Sequence, residues 1–169
     1  MDVIPADLVE ETWREVGSCS IAQAKEVMNR LGKSQNNLLS FVVIFTQDLE
    51  PDAQELAVYL FTVIFRIFEK ASSGRIRRVK QGEIVAAYER TEKFVEKFIG
   101  AHERFLEAAA ASLTSTQPFV MQYLVEALLE APEEQQNPVI LSDEDSGQIF
   151  LVLITAIGLL DRAASCTAR

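Results

Sequence analysis

The sequence predicts an all-α fold, a single-domain helical bundle of about seven helices spanning residues 1–169. Three observations support this prediction. Apolar residues recur at three- and four-residue spacing through most of the chain, which is the period of an amphipathic helix. Glycine, proline and serine interrupt the chain where these patterns end. Two segments are apolar on all sides, and a helix of that kind must be covered by the rest of a domain.

The first three helices are predicted from apolar spacing and from capping residues. Helix one runs from about Pro5 to Val16. Ser20 caps a second helix, which is expected to end at Leu31 because Gly32 follows it. Ser34 then opens a third helix that reaches about Leu49. Its apolar run at 41–45 contains β-branched residues, but the helical flanks and the lack of a partner strand favour a helix over a strand.

The stretch Pro51–Ser73 is predicted to be a buried central helix. The 13 positions from Leu56 to Phe68 are apolar except for Thr62 and Arg66. Pro51 suits the first helical position, where its missing N–H costs nothing. A membrane-spanning helix needs roughly 20 apolar residues. The shorter run therefore favours a core helix over a membrane helix.

The second half of the chain is predicted to contain three more helices. Helix five is the longest, from about Glu83 to Leu113, and helix six runs from about Gln117 to Ala131. Helix five carries a heptad seam, made of Ile84, Tyr88, Thr91, Val95, Phe98, His102, Phe105 and Ala109. The last helix, Asp145–Ser165, is apolar on all sides and begins after a capping serine, Ser142. Its apolar run, 148–161, is again expected to be too short to span a bilayer.

The two apolar helices, Pro51–Ser73 and Asp145–Ser165, are predicted to form the buried pair at the centre of the bundle. Aligned without gaps on Asp52 and Asp145, they match at five further positions, which suggests an internal duplication. Chance matches between two helices rich in the same apolar residues are the competing interpretation. A calcium loop at the start of the last helix is rejected because Gly147 comes one residue too early for the motif.

Composition limits the classes of function. The net charge of -9 argues against general nucleic-acid binding, which needs a basic surface. Lysine and arginine are absent from Phe105 to Asp161, so an acidic surface is expected, either as a solvated face or as an attraction for a basic partner. Two cysteines, Cys19 and Cys166, form no disulfide framework or metal-ligand spacing, which suggests a cytoplasmic protein. The N-terminus lacks the pattern of a signal peptide.

Three features carry candidate chemistry. Arg66, in the central helix, either binds an anionic ligand or a partner carboxylate, or packs its stem while its head reaches water or Glu69, which is the favoured alternative. The basic segment 74–82 is either an anion-binding loop or, as favoured, a connector whose charge nearby carboxylates balance. The single histidine, His102, lies on the helix-five seam, where a structural role is favoured over ligand binding.

These observations favour a non-enzymatic, cytoplasmic protein that acts through protein–protein interaction, as an adaptor, regulator or subunit, and that self-associates. A protein partner or a second copy of the chain is expected, with no cofactor, no metal, no nucleic acid and no membrane. The alternative is a domain that binds or senses an apolar small molecule in a pocket between the central helices, with Arg66 and His102 as candidate ligand-binding residues. A metal enzyme ranks third, because one histidine leaves acid–base chemistry poorly supplied.

Overall fold

A computed structural model describes residues 1–73, 75–95, 116–129 and 141–165 of the chain. About 80% of these residues are helical and none of them lies in a strand, which confirms the all-α prediction. The described helices are α1 (Ala6–Gly17), α2 (Ile21–Ser34), α3 (Asn36–Phe45), α4 (Pro51–Ala71), α5 (Gln81–Val95), α6 (Pro118–Leu129) and α7 (Asp143–Ser165).

The two apolar helices are buried, as predicted. In α4 the core side includes Leu60, Phe61 and Ile64, all at most 1% exposed. In α7 every residue from Ile149 to Ile157 is buried. The two helices pack against each other, with α1, α2 and α3 also against α4, and with α3, α5 and α6 also against α7. The internal duplication stays a prediction.

Several predicted helix ends are confirmed by local hydrogen bonds. The Ser20 hydroxyl accepts a hydrogen bond from the Gln23 amide, and the Gln23 side chain reaches back to Ser20, which completes a capping box. The Ser142 hydroxyl accepts a hydrogen bond from the Asp145 amide at 3.0 Å. Pro51 occupies the first turn of α4. These caps satisfy amides that have no partner within their own helix.

The predicted boundary between the second and third helices was wrong. Helix α2 continues through Gly32 and ends at Ser34, whose hydroxyl donates back to the Arg30 carbonyl at 2.8 Å. The reason is tertiary: the Arg78 guanidinium donates to the Lys33 carbonyl at 2.5 Å, so a distant side chain satisfies the end of α2. Helix α3 then begins at Asn36 and stops at Phe45, four residues before the predicted end.

Two other predictions concern the lengths of helix five and of the last helix. Helix α5 begins at Gln81 and is described to Val95, so the rest of the long predicted helix, with half of its heptad seam, lies outside the described residues. Helix α7 has 23 residues, and by length and composition it could cross a membrane, so the expectation that it is too short was wrong. In its most apolar window, 78% of the residues are buried inside the protein. The core helices of other proteins can have the same length and apolar composition, so these two properties of α7 are weak evidence for a membrane span.

Candidate functional site

Arg66 lies on α4 and faces carboxylates from two helices. Its guanidinium is 2.6 Å from the Glu69 carboxylate, one turn later, and 3.1 Å from the Glu15 carboxylate on α1. The side chain is only 20% exposed. The contact with Glu69 agrees with the favoured alternative, in which the guanidinium reaches water or Glu69. An anionic ligand at Arg66 would have to displace or bridge these two carboxylates.

The same carboxylates bind two further cations. The Lys70 amino group lies 2.5 Å from the Glu15 carboxylate and 3.0 Å from that of Glu11, and Arg30 on α2 lies 3.8 Å from Glu69. Mainly because of the hydrogen bond from Lys70, the pKa of Glu15 lies below its usual value. This cluster joins α1, α2 and α4 by balanced charges, so we assign it a structural role.

The basic segment after α4 is also held by structural contacts. The Arg77 guanidinium forms two hydrogen bonds to the Glu83 carboxylate, at 2.8 and 2.9 Å, which is the charge balance that the connector interpretation predicted. The buried amide of Gln35 donates to the Arg77 carbonyl at 2.9 Å and accepts from the Val79 amide at 3.0 Å. Because these contacts fix both backbone and side chains, the segment serves to join α2, α3 and α5.

His102, the other candidate residue, lies outside the described residues, as does Cys166. Within the ranges that the structure describes, no three histidine, cysteine or carboxylate side chains are grouped closely enough to hold a metal ion.

An apolar cleft of about 500 Å³ lies between the N-terminal halves of α2 and α4. We call it the α2–α4 cleft. The end of α1, the α1–α2 turn and the end of α3 complete it. Its lining residues are Val16, Cys19, Ala24, Val27, Met28, Val43, Pro51, Gln54, Glu55, Val58, Tyr59 and Thr62. A cavity of this size is within the range of sites for small molecules, and also of grooves that receive a few side chains of a partner.

Two lining residues of α4, Thr62 and Gln54, form hydrogen bonds to neighbouring groups. The Thr62 hydroxyl donates to the Val58 carbonyl at 2.8 Å and lies 3.2 Å from the Met28 sulfur, which brings α4 and α2 together there. The Gln54 amide donates to the Val43 carbonyl at 3.2 Å and ties the start of α4 to the end of α3. Most of the other lining residues have aliphatic side chains.

Exposed apolar side chains border the cleft. Val43 is 40% exposed and Tyr59 is 39% exposed, although both belong to helices whose other faces form the core. Burial of its ring raises the pKa of the Tyr59 hydroxyl, so this group is a neutral donor and acceptor at physiological pH. The cleft therefore offers apolar contact with a small number of polar groups.

The position of the cleft differs from the predicted one. The sequence predicted a pocket between the two central helices, α4 and α7. Of these two helices, α4 lines the α2–α4 cleft, and none of the lining residues belongs to α7. Arg66 is not a lining residue either; it lies one turn beyond Thr62. Sequence reasoning missed Ala24, Val43 and Tyr59, whose spacing within apolar helices looks the same as that of core residues.

Comparisons with protein-family models, with curated proteins and with solved structures found no match for this chain. Its function is therefore inferred from its own geometry and chemistry.

Proposed function

We propose that this protein is a non-enzymatic interaction protein that binds the apolar face of a helix from another polypeptide in the α2–α4 cleft. The observation that carries the proposal is the cleft itself, about 500 Å³ in volume and lined mainly by apolar side chains. An amphipathic helix presents apolar residues at i, i+4 and i+7, and these can enter a groove between two helices.

The border of the cleft favours a helix over a small molecule. A small-molecule site usually encloses most of its ligand. Here Val43 and Tyr59 stand at the border with about two fifths of their surface in solvent, and Ile44, next to Val43, is 55% exposed. A partner that extends beyond the cleft would cover these side chains as well. Apolar surface that continues outside a cleft is typical of protein-binding sites.

The test is a selection of helical peptides displayed on phage against the full chain, followed by affinity measurements on two variants. Ala24→Trp places an indole in the cleft, because Ala24 is an exposed lining residue of α2. Ala22→Trp is the matched control, since Ala22 is also exposed on α2 but does not line the cleft. We expect selected peptides to lose at least about tenfold in affinity for Ala24→Trp, or about 1.4 kcal/mol, and to bind Ala22→Trp normally.

Failure to select any peptide with an apolar stripe would contradict the proposal. So would peptides that bind Ala24→Trp as tightly as the unmodified chain. Melting curves of both variants show whether the substitution has altered the fold itself.

A small apolar molecule is the second candidate occupant. The Tyr59 hydroxyl and the Gln54 side chain give the cleft polar groups that could orient such a ligand. Native mass spectrometry tests this: a retained small mass that denaturation releases, and that Ala24→Trp lacks, would favour this function. Self-association stays a prediction, which sedimentation velocity over a range of concentrations would test. The cytoplasmic location also stays a prediction.

A further inference from the structure

One side of the α2–α4 cleft is strongly acidic. It is built from α3, the turn after it and the first part of α4. Lysine, arginine and histidine are absent from Ser34 to Phe65. The same stretch contains four carboxylates in or near the turn, Asp48, Glu50, Asp52 and Glu55, all of them exposed. Glu55 lines the cleft itself, together with Pro51, which lies between Glu50 and Asp52.

These four carboxylates have no cationic partner within the described ranges of the chain. The ion pairs of the described residues are formed by other acids, most of which lie at the opposite end of α4 and on α1 and α5. The α2 side of the cleft does not offset the charge, because Lys25 and Glu26, both exposed, cancel each other in net charge. The border of the cleft therefore carries an uncompensated negative charge.

Stabilisation of α4 accounts for only part of this charge. Glu50 and Asp52 flank the first residue of the helix, where a negative charge interacts favourably with the helix dipole. That effect falls off within the first turn. Asp48 lies before the helix and Glu55 lies beyond its first turn, so neither carboxylate is explained in this way. Glu55 lines the apolar cleft, and this position indicates a role in recognition.

We propose that the helix bound in the α2–α4 cleft is a basic amphipathic helix. Its apolar stripe enters the cleft, and lysine or arginine residues beside that stripe face the carboxylates of the α3–α4 turn and of the start of α4. This inference rests on the proposed function and adds the charge of the partner. Complementary charges of this kind mainly raise the rate of association and the discrimination between partners.

The test uses two synthetic helical peptides that share one apolar stripe, taken from the selected peptides, and differ only in the flanking positions. One peptide carries lysine there and the other carries glutamate. Fluorescence anisotropy with the full chain at low salt should show at least about tenfold tighter binding of the lysine peptide. At about 1 M salt, where the screening length is roughly 3 Å, most of this difference should vanish.

Two variants with paired charge reversals separate a local effect from the overall net charge of -9. Asp52→Lys with Glu55→Lys reverses two carboxylates beside the cleft. Glu89→Lys with Glu92→Lys reverses two exposed carboxylates at the same spacing on α5, which contributes no lining residue. Only the first variant should lose the preference for the lysine peptide. Glu55→Lys alone, compared with Glu89→Lys alone, serves if the first variant melts at a much lower temperature.

Each other outcome contradicts either the basic character of the partner or the proposed function itself. If both peptides bind equally, and Ala24→Trp blocks both, the basic partner is wrong while the proposed function stands. If both double variants weaken the lysine peptide equally, the effect is one of net charge and the inference is again wrong. If neither peptide binds, or Ala24→Trp has no effect, the proposed function fails too. Displacement of the peptide by a co-purified small molecule, or by a second copy of the chain, would identify a different occupant.

Discussion

The two central helices have nearly the same apolar character but different surroundings. From Ile149 to Ile157, α7 is buried on every side. Along the corresponding part of α4, Leu56 and Val58 are only partly buried and Tyr59 is 39% exposed. An apolar sequence therefore shows that a helix needs to be covered, and does not show how completely its own chain covers it. The uncovered part of α4 is where we place the binding site.

The difference arises from what packs against each helix. Helix α7 is surrounded by α3, α4, α5 and α6, and the Arg77 amide donates to the Ala163 carbonyl near its end at 3.3 Å. Helix α4 contacts α1, α2, α3 and α7, yet its first half borders the open α2–α4 cleft.

Truncation of a side chain should give the largest difference in the free energy of unfolding between α7 and the cleft side of α4. Phe150 is fully buried, so Phe150→Ala should lower the free energy of unfolding by about 3–5 kcal/mol. Val58→Ala removes a half-buried side chain beside the cleft and should cost about 1 kcal/mol. Denaturation by urea measures both values. Equal losses would contradict the contrast between a covered and an uncovered helix.

A buried carboxylate near the end of α7 should give the next largest effect. Asp161 accepts hydrogen bonds from the Thr116 hydroxyl and the Gln117 amide, both at 2.7 Å. The amino group of Met1 lies 3.4 Å from the same carboxylate. Asp161→Ala leaves the buried Gln117 amide with fewer partners, which should cost about 2–3 kcal/mol. The control is Arg162→Ala on the exposed side of α7, expected to stay within about 0.5 kcal/mol.

The ion pair that holds the segment packed against α7 should make stability depend on acid pH. The hydrogen bonds from Arg77 and from the Lys80 amide lower the pKa of Glu83 to about 2. A carboxylate whose pKa is lowered by folding stabilises the protein above its ordinary pKa, and this contribution is lost as the pH falls from about 4.5 towards 2. Because the side chain is 39% exposed, we expect only about 1 kcal/mol.

Glu83→Gln tests this prediction. The variant should be less stable than the unmodified chain at pH 7, and the two should converge as the pH approaches 2, as followed by urea denaturation at several pH values. Glu89→Gln, at an exposed position on the same helix, should leave the pH profile unchanged. A constant difference at all pH values would show that Glu83 acts through packing.

The smallest effect is expected in the charged cluster at the far end of α4. Glu15→Ala leaves Arg66 paired with Glu69 and Lys70 paired with Glu11, and the Glu15 side chain is 42% exposed. We expect a loss of about 0.5 kcal/mol that diminishes at high salt. Urea denaturation at low and high salt measures it. A loss above about 2 kcal/mol would mean that the ion pairs at this end of α4 stabilise the protein as much as the buried contacts of α7 do.

The all-α class, the order of the helices and the burial of α4 and α7 are predictable from the amino-acid sequence, because these follow from local spacing. The caps at Ser20 and Ser142 are predictable as well, because they need only neighbours in the chain. The pairing of Arg66 with Glu69 was predictable for the same reason, since the two residues lie one turn apart.

The end of α2 and the position of the cleft depend on contacts between residues that are far apart in the sequence. The end of α2 depends on Arg78, which lies 45 residues away from the carbonyl it binds. Glu15 reaches Arg66 across 51 residues. The cleft lies where side chains of several helices meet, and its shape depends on how all of these side chains fit together. Periodicity shows which faces are apolar, whereas the three-dimensional packing determines which of these faces remains open to a partner.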